Sequence, residues 1–217
     1  MEKPKYIITD THLKLNELFK PFERYFRTVK DYNDTFIKNW NSVVRDTDIV
    51  VHLGDVGDRD AIEEIFPKLK GRKWLVLGNH DKLPKSFYEK YFEQVFPKKV
   101  SISKRIVLSH IPTKVDDDEI NLHGHTHEII LKSKNHINMC QEIQGFKPIS
   151  IKRFERLLGD MPKISIKFLE EWYKDIQIPT ILREDIVLKK GGTIDVEMTK
   201  IFREYKKQIE EIDSEGE

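Results

Sequence analysis

Cysteine is nearly absent from this sequence of 217 residues, in which Cys140 is the one thiol. A single cysteine excludes an internal disulfide framework and leaves no cysteine-based structural zinc site. We therefore expect Cys140 to be a small buried apolar residue. A reducing compartment, the cytoplasm, is the location that this cysteine usage predicts.

Long apolar runs and an excess of charge of one sign are also missing. No run approaches the roughly 20 apolar residues of a membrane span, and the N-terminus has no signal core, so we expect a soluble, unprocessed protein with no membrane partner. Lys and Arg together number 38 and Asp and Glu 37, so no overall field attracts nucleic acid. Any preference for an anionic substrate must therefore arise within a local site.

The sequence contains no internal repeat, no G-x-G-x-x-G fingerprint and no glycine loop of the kind that cradles phosphate. It does contain short apolar runs that alternate with helical patterns up to about residue 150. This alternation predicts a layered α/β domain over residues 1–150. The predicted strands are Lys5 to Thr9, Asp48 to Leu53, Lys73 to Leu77, Ile106 to Ser109, Ile120 to Leu122, His136 to Met139 and Ile149 to Ile151; the predicted helices are Asp34 to Arg45 and Ala61 to Leu69.

Residues 151–217 have a different character and form a predicted helical extension of unknown role. Ile164 to Lys174 and Thr199 to Ile212 have helical patterns rich in Lys and Glu, separated by Pro179 and two glycines. Covering the sheet is the commonest use of such helices, and an oligomer contact or a gate over the site are the alternatives.

Each of five short polar clusters comes directly after an apolar run in the sequence. Residues at the carboxyl ends of parallel strands converge on one crevice, so we expect these clusters to meet. They are Asp10-Thr11-His12, Gly54-Asp55, Gly78-Asn79-His80-Asp81, Ser109-His110 and Gly124-His125-Thr126-His127.

The clusters supply enough ligands for two divalent cations. A carboxylate can bridge two cations while imidazoles complete each coordination sphere, and Asp55 is the natural bridge. The Asp-x-His and His-x-His spacings place both side chains of each pair on one side of an extended segment. His80, beside Asn79, is then placed to protonate a leaving group. The predicted ligands are Asp10, His12, Asp55, Asn79, His110, His125 and His127.

In their order and spacing, these clusters resemble the calcineurin-like metallophosphoesterases over about residues 5 to 150, with details similar to small bacterial and phage members. The resemblance implies a two-sheet β-sandwich flanked by helices. It also implies that one metal is bound by Asp10, His12 and His127, a second by Asn79, His110 and His125, and that Asp55 bridges the two. His80 then acts on the leaving group.

The run Gly54-Asp55-Val56-Gly57-Asp58-Arg59 is similar to a motif of the serine/threonine phosphatase branch of the family. In that branch the second Asp pairs with the catalytic His and the Arg holds phosphate, which makes Asp58 and Arg59 catalytic candidates. The branch motif continues with Gly, whereas Asp60 follows here. The alternative is a surface loop in which Asp58 and Arg59 pair with each other.

These observations predict a metal-dependent phosphoesterase that hydrolyses a small phosphodiester or phosphomonoester by attack of metal-bound hydroxide, with the diester slightly preferred. The ligand types suit Mn, Fe, Zn, Ni or Co, and Mn is the ion expected to support an assay. A nuclease of the same superfamily is the first alternative, and nucleic acid is not favoured because the charge is balanced. The second alternative is a metal-bearing scaffold whose C-terminal helices bind a partner or a second copy.

Aromatic residues interspersed with cations lie between Phe19 and Tyr32. Such a stretch can stack nucleic-acid bases. Spacings of three and four residues more often mark the core face of a helix, which is the interpretation we prefer.

Overall fold

The apolar runs of the sequence form the strands of two main sheets. The computed structural model describes residues 2–131, 133–159, 172 and 181–183, all within one unit that ends at Arg183. The strands are β1 (Tyr6–Ile8), β2 (Ile49–His52), β3 (Arg72–Val76), β4 (Gln94–Phe96), β5 (Lys99–Ser101), β6 (Ile106–Ser109), β7 (Ile120–His123), β8 (Ile129–Leu131), β9 (His136–Asn138), β10 (Ile149–Ser150) and β11 (Ile181–Arg183).

Strand direction brings the carboxyl ends of neighbouring strands together. The five-stranded sheet has the order β10-β1-β2-β3-β4, in which β1 to β4 are parallel and β10 is antiparallel to β1. The four-stranded sheet has the order β5-β6-β7-β9, in which β6, β7 and β9 are parallel and β5 is antiparallel. Strands β8 and β11 form a separate parallel pair.

Helices connect and cover the strands. Thr28 caps the first helix, because its side chain accepts a hydrogen bond from the Asp31 backbone N–H. This helix therefore begins at Val29, earlier than the apolar period of the sequence predicts. The helices are α1 (Val29–Val43), α2 (Arg59–Ile65), α3 (Lys85–Tyr88), α4 (Gln141–Gln144) and α5 (Ile151–Gly159), with 3-10 turns at Lys20–Phe22 and Phe66–Lys68.

The five-stranded sheet is buried on both faces, as a parallel sheet requires. Ile7, Val51 and Trp74 pack with residues of the four-stranded sheet and of α5 in the core between the sheets. Ile8 and Val50, their neighbours along the strands, face the opposite way and pack with residues of α1 and α2. Successive side chains of these strands point to opposite faces, and both faces are covered. The strands therefore appear in the sequence as continuous apolar runs.

Over residues 19–28 the aromatic stretch does not form the predicted helix, and only its last residues, from Val29, belong to α1. It contains one 3-10 turn, Lys20–Phe22, in which Pro21 is one of the three residues. The predicted packing is nevertheless found, since Phe22 packs fully buried with residues of α1 and Tyr32 is fully buried within α1 itself. A core position for these rings was therefore correct, although the helix is found only from Val29 onward.

The predicted helices Ile164 to Lys174 and Thr199 to Ile212 lie outside the described residues, apart from Trp172, so the extension over residues 151–217 stays a prediction. Among the described helices, none has the length and apolar character needed to cross a membrane.

Candidate metal centre

The predicted ligands lie just beyond the carboxyl ends of five parallel strands, and both sheets contribute. Asp10 follows β1, Asp55 follows β2 and Asn79 follows β3, whereas His110 follows β6 and the histidines of the Gly124 cluster follow β7. The loops of the two sheets are joined by hydrogen bonds: the His125 backbone N–H donates to the Asp10 carboxylate at 3.0 Å. The structure therefore brings all seven residues to one edge of the molecule.

Asp10, His12 and His127 form one group, whose ligand atoms lie within 4.8 Å of one another. Asp10 Oδ1 is 3.9 Å from His12 Nε2 and 4.0 Å from His127 Nε2. These separations are too long for hydrogen bonds. They suit ligands of a shared cation, since two atoms each about 2.0–2.2 Å from one ion lie at most about 4.4 Å apart.

Asp55, His110 and His125 form a second group with the same 4.8 Å limit. His110 Nε2 is 3.5 Å from Asp55 Oδ2 and 3.2 Å from His125 Nδ1. Asn79 Oδ1 joins this group at 2.7 Å from His110 Nε2.

Asp55 faces both groups. Its Oδ2 atom lies 3.5 Å from His110 Nε2 in the second group and 3.7 Å from His12 Nε2 in the first. One carboxylate oxygen is thus within reach of a ligand nitrogen on either side, which is the position that a bridging ligand occupies.

The lone pairs of these side chains are arranged to bind cations rather than to form hydrogen bonds with one another. His110 Nδ1 is 3.0 Å from the Leu53 carbonyl, which can only accept, so the proton lies on Nδ1 and the Nε2 lone pair points at Asn79 Oδ1. Two acceptors then face each other at 2.7 Å. His12 Nε2 is buried and has no hydrogen-bond partner among the described residues. Cations between these lone pairs would satisfy them all.

Burial keeps three of the imidazoles neutral, the form in which they bind metal. It lowers the pKa of His12 well below its usual value, lowers that of His110, and lowers the pKa of His125 to about 3. Burial also raises the pKa of Asp10, and it raises that of Asp55 to about 6. Ionised carboxylates so buried need a compensating positive charge, which bound cations supply.

The backbone is strained at the ligands themselves. Positive φ angles occur at Asp10 (54°), His12 (39°), Asp55 (54°), His125 (68°) and His127 (47°), and among the other described non-glycine residues only at Phe146. Left-handed backbone is uncommon for residues with a side chain and concentrates at functional sites.

Two glycines make room for the carboxylates. A Cβ atom at Gly124 would collide with Asp10 Oδ2, and one at Gly78 would collide with Asp55 Oδ1. Neither Gly78 nor Gly124 has a φ angle in the left-handed region, so glycine is needed at these positions because a side chain would not fit. Gly54 differs, because its φ of 102° itself favours glycine.

A model of the calcineurin-like phosphoesterase family matches residues 4–180. The chain belongs to this family. Membership confirms the predicted family and, with its two mixed sheets and flanking helices, the predicted fold class. It also indicates metal-dependent hydrolysis of phosphate esters as the chemistry of the phosphoesterase.

Two relatives of this phosphoesterase have no assigned activity. The uncharacterized protein MJ1445 of Methanocaldococcus jannaschii is 31% identical over 171 residues, which cover 70% of this chain and 90% of the relative. The protein of unknown function AQ665 from Aquifex aeolicus, known from a crystal structure, is 26% identical with a TM-score of 0.57. That match covers 70% of this chain and 97% of the other.

His80 lies at the exposed rim of the phosphoesterase site. Its backbone N–H donates to Asp55 Oδ1 at 2.8 Å, and its ring lies 5.6 Å from the ring of His12. The loop is held by the next residue, Asp81, whose buried carboxylate accepts from the backbone N–H groups of Gly78 and Asp55 at 2.8 and 2.9 Å. The predicted leaving-group residue therefore has a firmly held backbone and an exposed ring.

Asp58 and Arg59 lie at the start of α2, and both are exposed. The Arg59 guanidinium lies over the ring of Phe87, 4.5 Å from its centroid, and 3.7 Å from a carboxylate oxygen of Glu63. These contacts are with neither ligand group, and the catalytic roles of Asp58 and Arg59 stay predictions.

Two residues at the centre were not predicted. Glu142 Oε1 lies 2.6 Å from His127 Nδ1, and the Phe19 ring stacks on the His12 ring with centroids 4.0 Å apart. Burial opposes protonation of His127, but Glu142 outweighs it and raises the pKa of His127 to about 9. Glu142 lies within α4, beyond the end of β9, so no strand-end cluster in the sequence marks it.

His52 and His123 are fully buried near the predicted ligands. His52 Nε2 is 2.9 Å from the Thr11 hydroxyl, and its Nδ1 accepts from the Gly54 backbone N–H at 3.1 Å. Burial lowers the pKa of each histidine to about 3. Both are neutral groups, and His52 supports the loops that carry Asp10 and Asp55.

Proposed function

We propose that this calcineurin-like phosphoesterase uses two divalent cations and hydrolyses a small phosphodiester in preference to a phosphomonoester. The observation that carries the proposal is the position of Asp55 Oδ2, 3.7 Å from His12 Nε2 of one ligand group and 3.5 Å from His110 Nε2 of the other. One group would hold an ion with Asp10, His12 and His127, the other with Asn79, His110 and His125, and Asp55 would contact both.

Divalent cations in these positions, when bound, supply Lewis-acid polarisation of the phosphate and activation of water. The residues of the chain do the rest. The strained loops hold the ligand atoms in place, and Asp81 fixes the turn from Gly78. The His80 ring, at the exposed rim, donates a proton to the oxygen that leaves phosphorus.

The charge of the centre favours a diester. Two divalent ions bring about +4, and the buried carboxylates of Asp10, Asp55 and Glu142 together with the attacking hydroxide bring about −4, which leaves little net charge with neutral imidazoles. A phosphodiester carries a single negative charge, so it matches this balance better than a doubly charged monoester. Arg59, the candidate phosphate-binding arginine, instead contacts Phe87 and Glu63.

A substrate panel tests the proposal. The full-length protein is stripped of metal, reloaded separately with Mn²⁺, Zn²⁺, Co²⁺ or Ni²⁺, and assayed with bis-aryl and mono-aryl phosphates, cyclic nucleotides and DNA. We expect the bis-aryl phosphate to be cleaved faster than the mono-aryl phosphate. Rapid cleavage of the mono-aryl phosphate with none of the diesters would refute the diester preference, and cleavage of DNA alone would favour the nuclease.

Asp55→Asn tests the two-metal centre. The substitution keeps the side-chain size but removes the charge that faces both groups, so turnover should fall at least about 100-fold, the upper range for loss of a metal-supporting contact. Bound metal, measured by elemental analysis, should fall from two ions to one or fewer. Asp34→Asn, on the exposed face of α1, is the matched control. Unchanged turnover in Asp55→Asn contradicts the binuclear mechanism.

A further inference from the structure

The carboxylate of Glu142 lies behind His127, opposite the ring nitrogen that faces Asp10. Glu142 is 1% exposed, and its Oε1 atom is 2.6 Å from His127 Nδ1. An ionised carboxylate can only accept, so it keeps the imidazole proton on Nδ1. Nε2, which faces the first ligand group 4.0 Å from Asp10 Oδ1, is then the nitrogen that a cation would bind in place of a proton.

The segment that carries Glu142 also supports Asp10. The Cys140 thiol donates to Asp10 Oδ2 at 3.4 Å, and the Gln141 side-chain amide donates to the Asp10 carbonyl at 3.1 Å. Three consecutive buried residues at the start of α4 thus contact two of the three ligands of the first group. Residues 140–142, for which the sequence predicted no functional role, therefore hold Asp10 and His127 of the first ligand group in position.

The second ligand group is supported differently. His110 Nδ1 is 3.0 Å from the Leu53 carbonyl, a neutral acceptor, and Asn79 carries no charge. A histidine that donates to a carboxylate is a more basic metal ligand than one that donates to a carbonyl. The first group also has the fully buried carboxylate of Asp10. The two groups therefore differ in the negative charge that they offer a cation.

We propose that Glu142 is a positioning residue that fixes the His127 ring and makes Asp10, His12 and His127 the tighter of the two cation sites. The inference rests on the proposed two-cation function and adds an order of loading to it. At limiting metal, the first ion occupies the group backed by Glu142, and the second ion completes the centre only at higher concentration.

Glu128 provides a matched control beside the site. It follows His127 directly and is also buried, with 7% exposure. Its carboxylate accepts from the Tyr25 hydroxyl at 2.5 Å and from Arg24 Nη1 at 2.8 Å. Glu128→Gln thus removes a buried negative charge from the same loop and leaves the hydrogen bond between His127 and Glu142 in place.

The experiment is a calorimetric titration of Mn²⁺ into the metal-free, full-length protein. The wild type should show a tight and a weaker binding step. Glu142→Gln should weaken the tight step about 10- to 100-fold and change the weaker one by less than about threefold, the range for loss of a group that orients a ligand. Glu128→Gln should bind both ions as the wild type does.

The inference is overturned if Glu142→Gln weakens both steps equally, weakens neither, or behaves as Glu128→Gln does. Two wild-type steps with an unaffected Glu142→Gln refute this inference alone, whereas a wild type that binds fewer than two ions refutes the proposed function. Nitrogen-15 spectra of the wild-type His127 ring with Zn²⁺ give a second measurement that requires no folded variant. A proton on Nδ1 with Nε2 ligated supports the role of Glu142, and a ligated Nδ1 excludes it.

Discussion

The left-handed residues at the metal centre have a structural cause. A residue with φ near 54°, as at Asp10 and Asp55, costs of the order of 1–3 kcal/mol and persists only where its surroundings enforce it. Here the enforcing contacts are visible: the Asp10 N–H donates to the Gly54 carbonyl at 3.0 Å, and the His12 N–H donates to the Asp55 carbonyl at 3.0 Å. The first two loops therefore hold each other in the strained form, and these contacts fix the positions of Asp10, His12 and Asp55.

Gly124→Ala should damage the first ligand group. The added methyl group would collide with the Asp10 carboxylate and the Thr9 side chain, so Asp10 must move away from its position between His12 and His127. We expect at least about a 10-fold loss of metal affinity, the lower range for disturbing a ligand, measured by calorimetry.

Gly159→Ala is the control for that substitution, because none of the described residues has an atom within 4 Å of a Cβ atom at the exposed Gly159. It should leave metal binding unchanged. If Gly124→Ala binds metal as tightly as Gly159→Ala does, the carboxylate does not need the room that this glycine provides.

His80→Ala should slow the reaction according to the leaving group. A general acid matters most when a basic alkoxide leaves, so we expect a loss of about 10²- to 10⁴-fold there and a much smaller loss for a nitrophenolate. Metal content should not change, since the contact with Asp55 comes from the backbone N–H of residue 80. Equal losses with both leaving groups would show that His80 is not the proton donor.

At the scale of elements, the accuracy of prediction followed the strength of the local pattern. The helix predicted from the apolar period over Asp34 to Arg45 is found within α1, where Phe36 and Trp40 of that period are buried. The start of that helix was missed because a cap at Thr28, outside the apolar period, sets it. Strands β4 and β5 were missed because each has only three residues, too few to show a period, and none of these residues is fully buried.

The pair Lys5 and Asp48 joins the start of β1 to the start of β2 and should make stability depend on pH. Lys5 Nζ is 2.8 Å from Asp48 Oδ1. Burial opposes ionisation, but Lys5 and the Arg45 backbone N–H together lower the pKa of Asp48 below its usual value. The pair therefore stabilises the fold above the ordinary Asp pKa of about 4, and this contribution is lost as the pH falls through the lowered value.

Chemical unfolding of the wild type and of Asp48→Asn at pH 7 and pH 3 tests the contribution of the Lys5–Asp48 pair to stability. The difference in unfolding free energy between them should be largest at pH 7 and shrink at pH 3. The exposed pair of Lys30 and Asp34 supplies the control variant Asp34→Asn, for which we expect little difference at either pH. A difference for Asp48→Asn that does not change with pH would mean that the charge of Asp48 does not matter.

At the scale of the molecule, the convergence of the ligands was predictable and their support was not. Asp10, Asp55 and His110 each follow an apolar strand, and strand direction brings such residues together whatever the details of the loops. Glu142 reaches His127 because α4 lies against the loop that follows β1, where Gln141 donates to the Asp10 carbonyl, and this tertiary contact has no periodic signature. The left-handed angles likewise depend on hydrogen bonds between loops that lie far apart in sequence.

A molecule whose two sheets meet at the metal centre should be stabilised as a whole by metal. Cations bind the folded ligand groups and not the unfolded chain, and free metal at 100 times its dissociation constant adds about 2.7 kcal/mol per site. For a protein of this size that corresponds to a rise in Tm of roughly 5–10 °C. Thermal unfolding with excess chelator and with Mn²⁺ should show this rise, and Asp55→Asn should show less of it because Asp55 faces both groups. Equal Tm values with chelator and with metal would mean that the strained loops do not bind cations in the folded state.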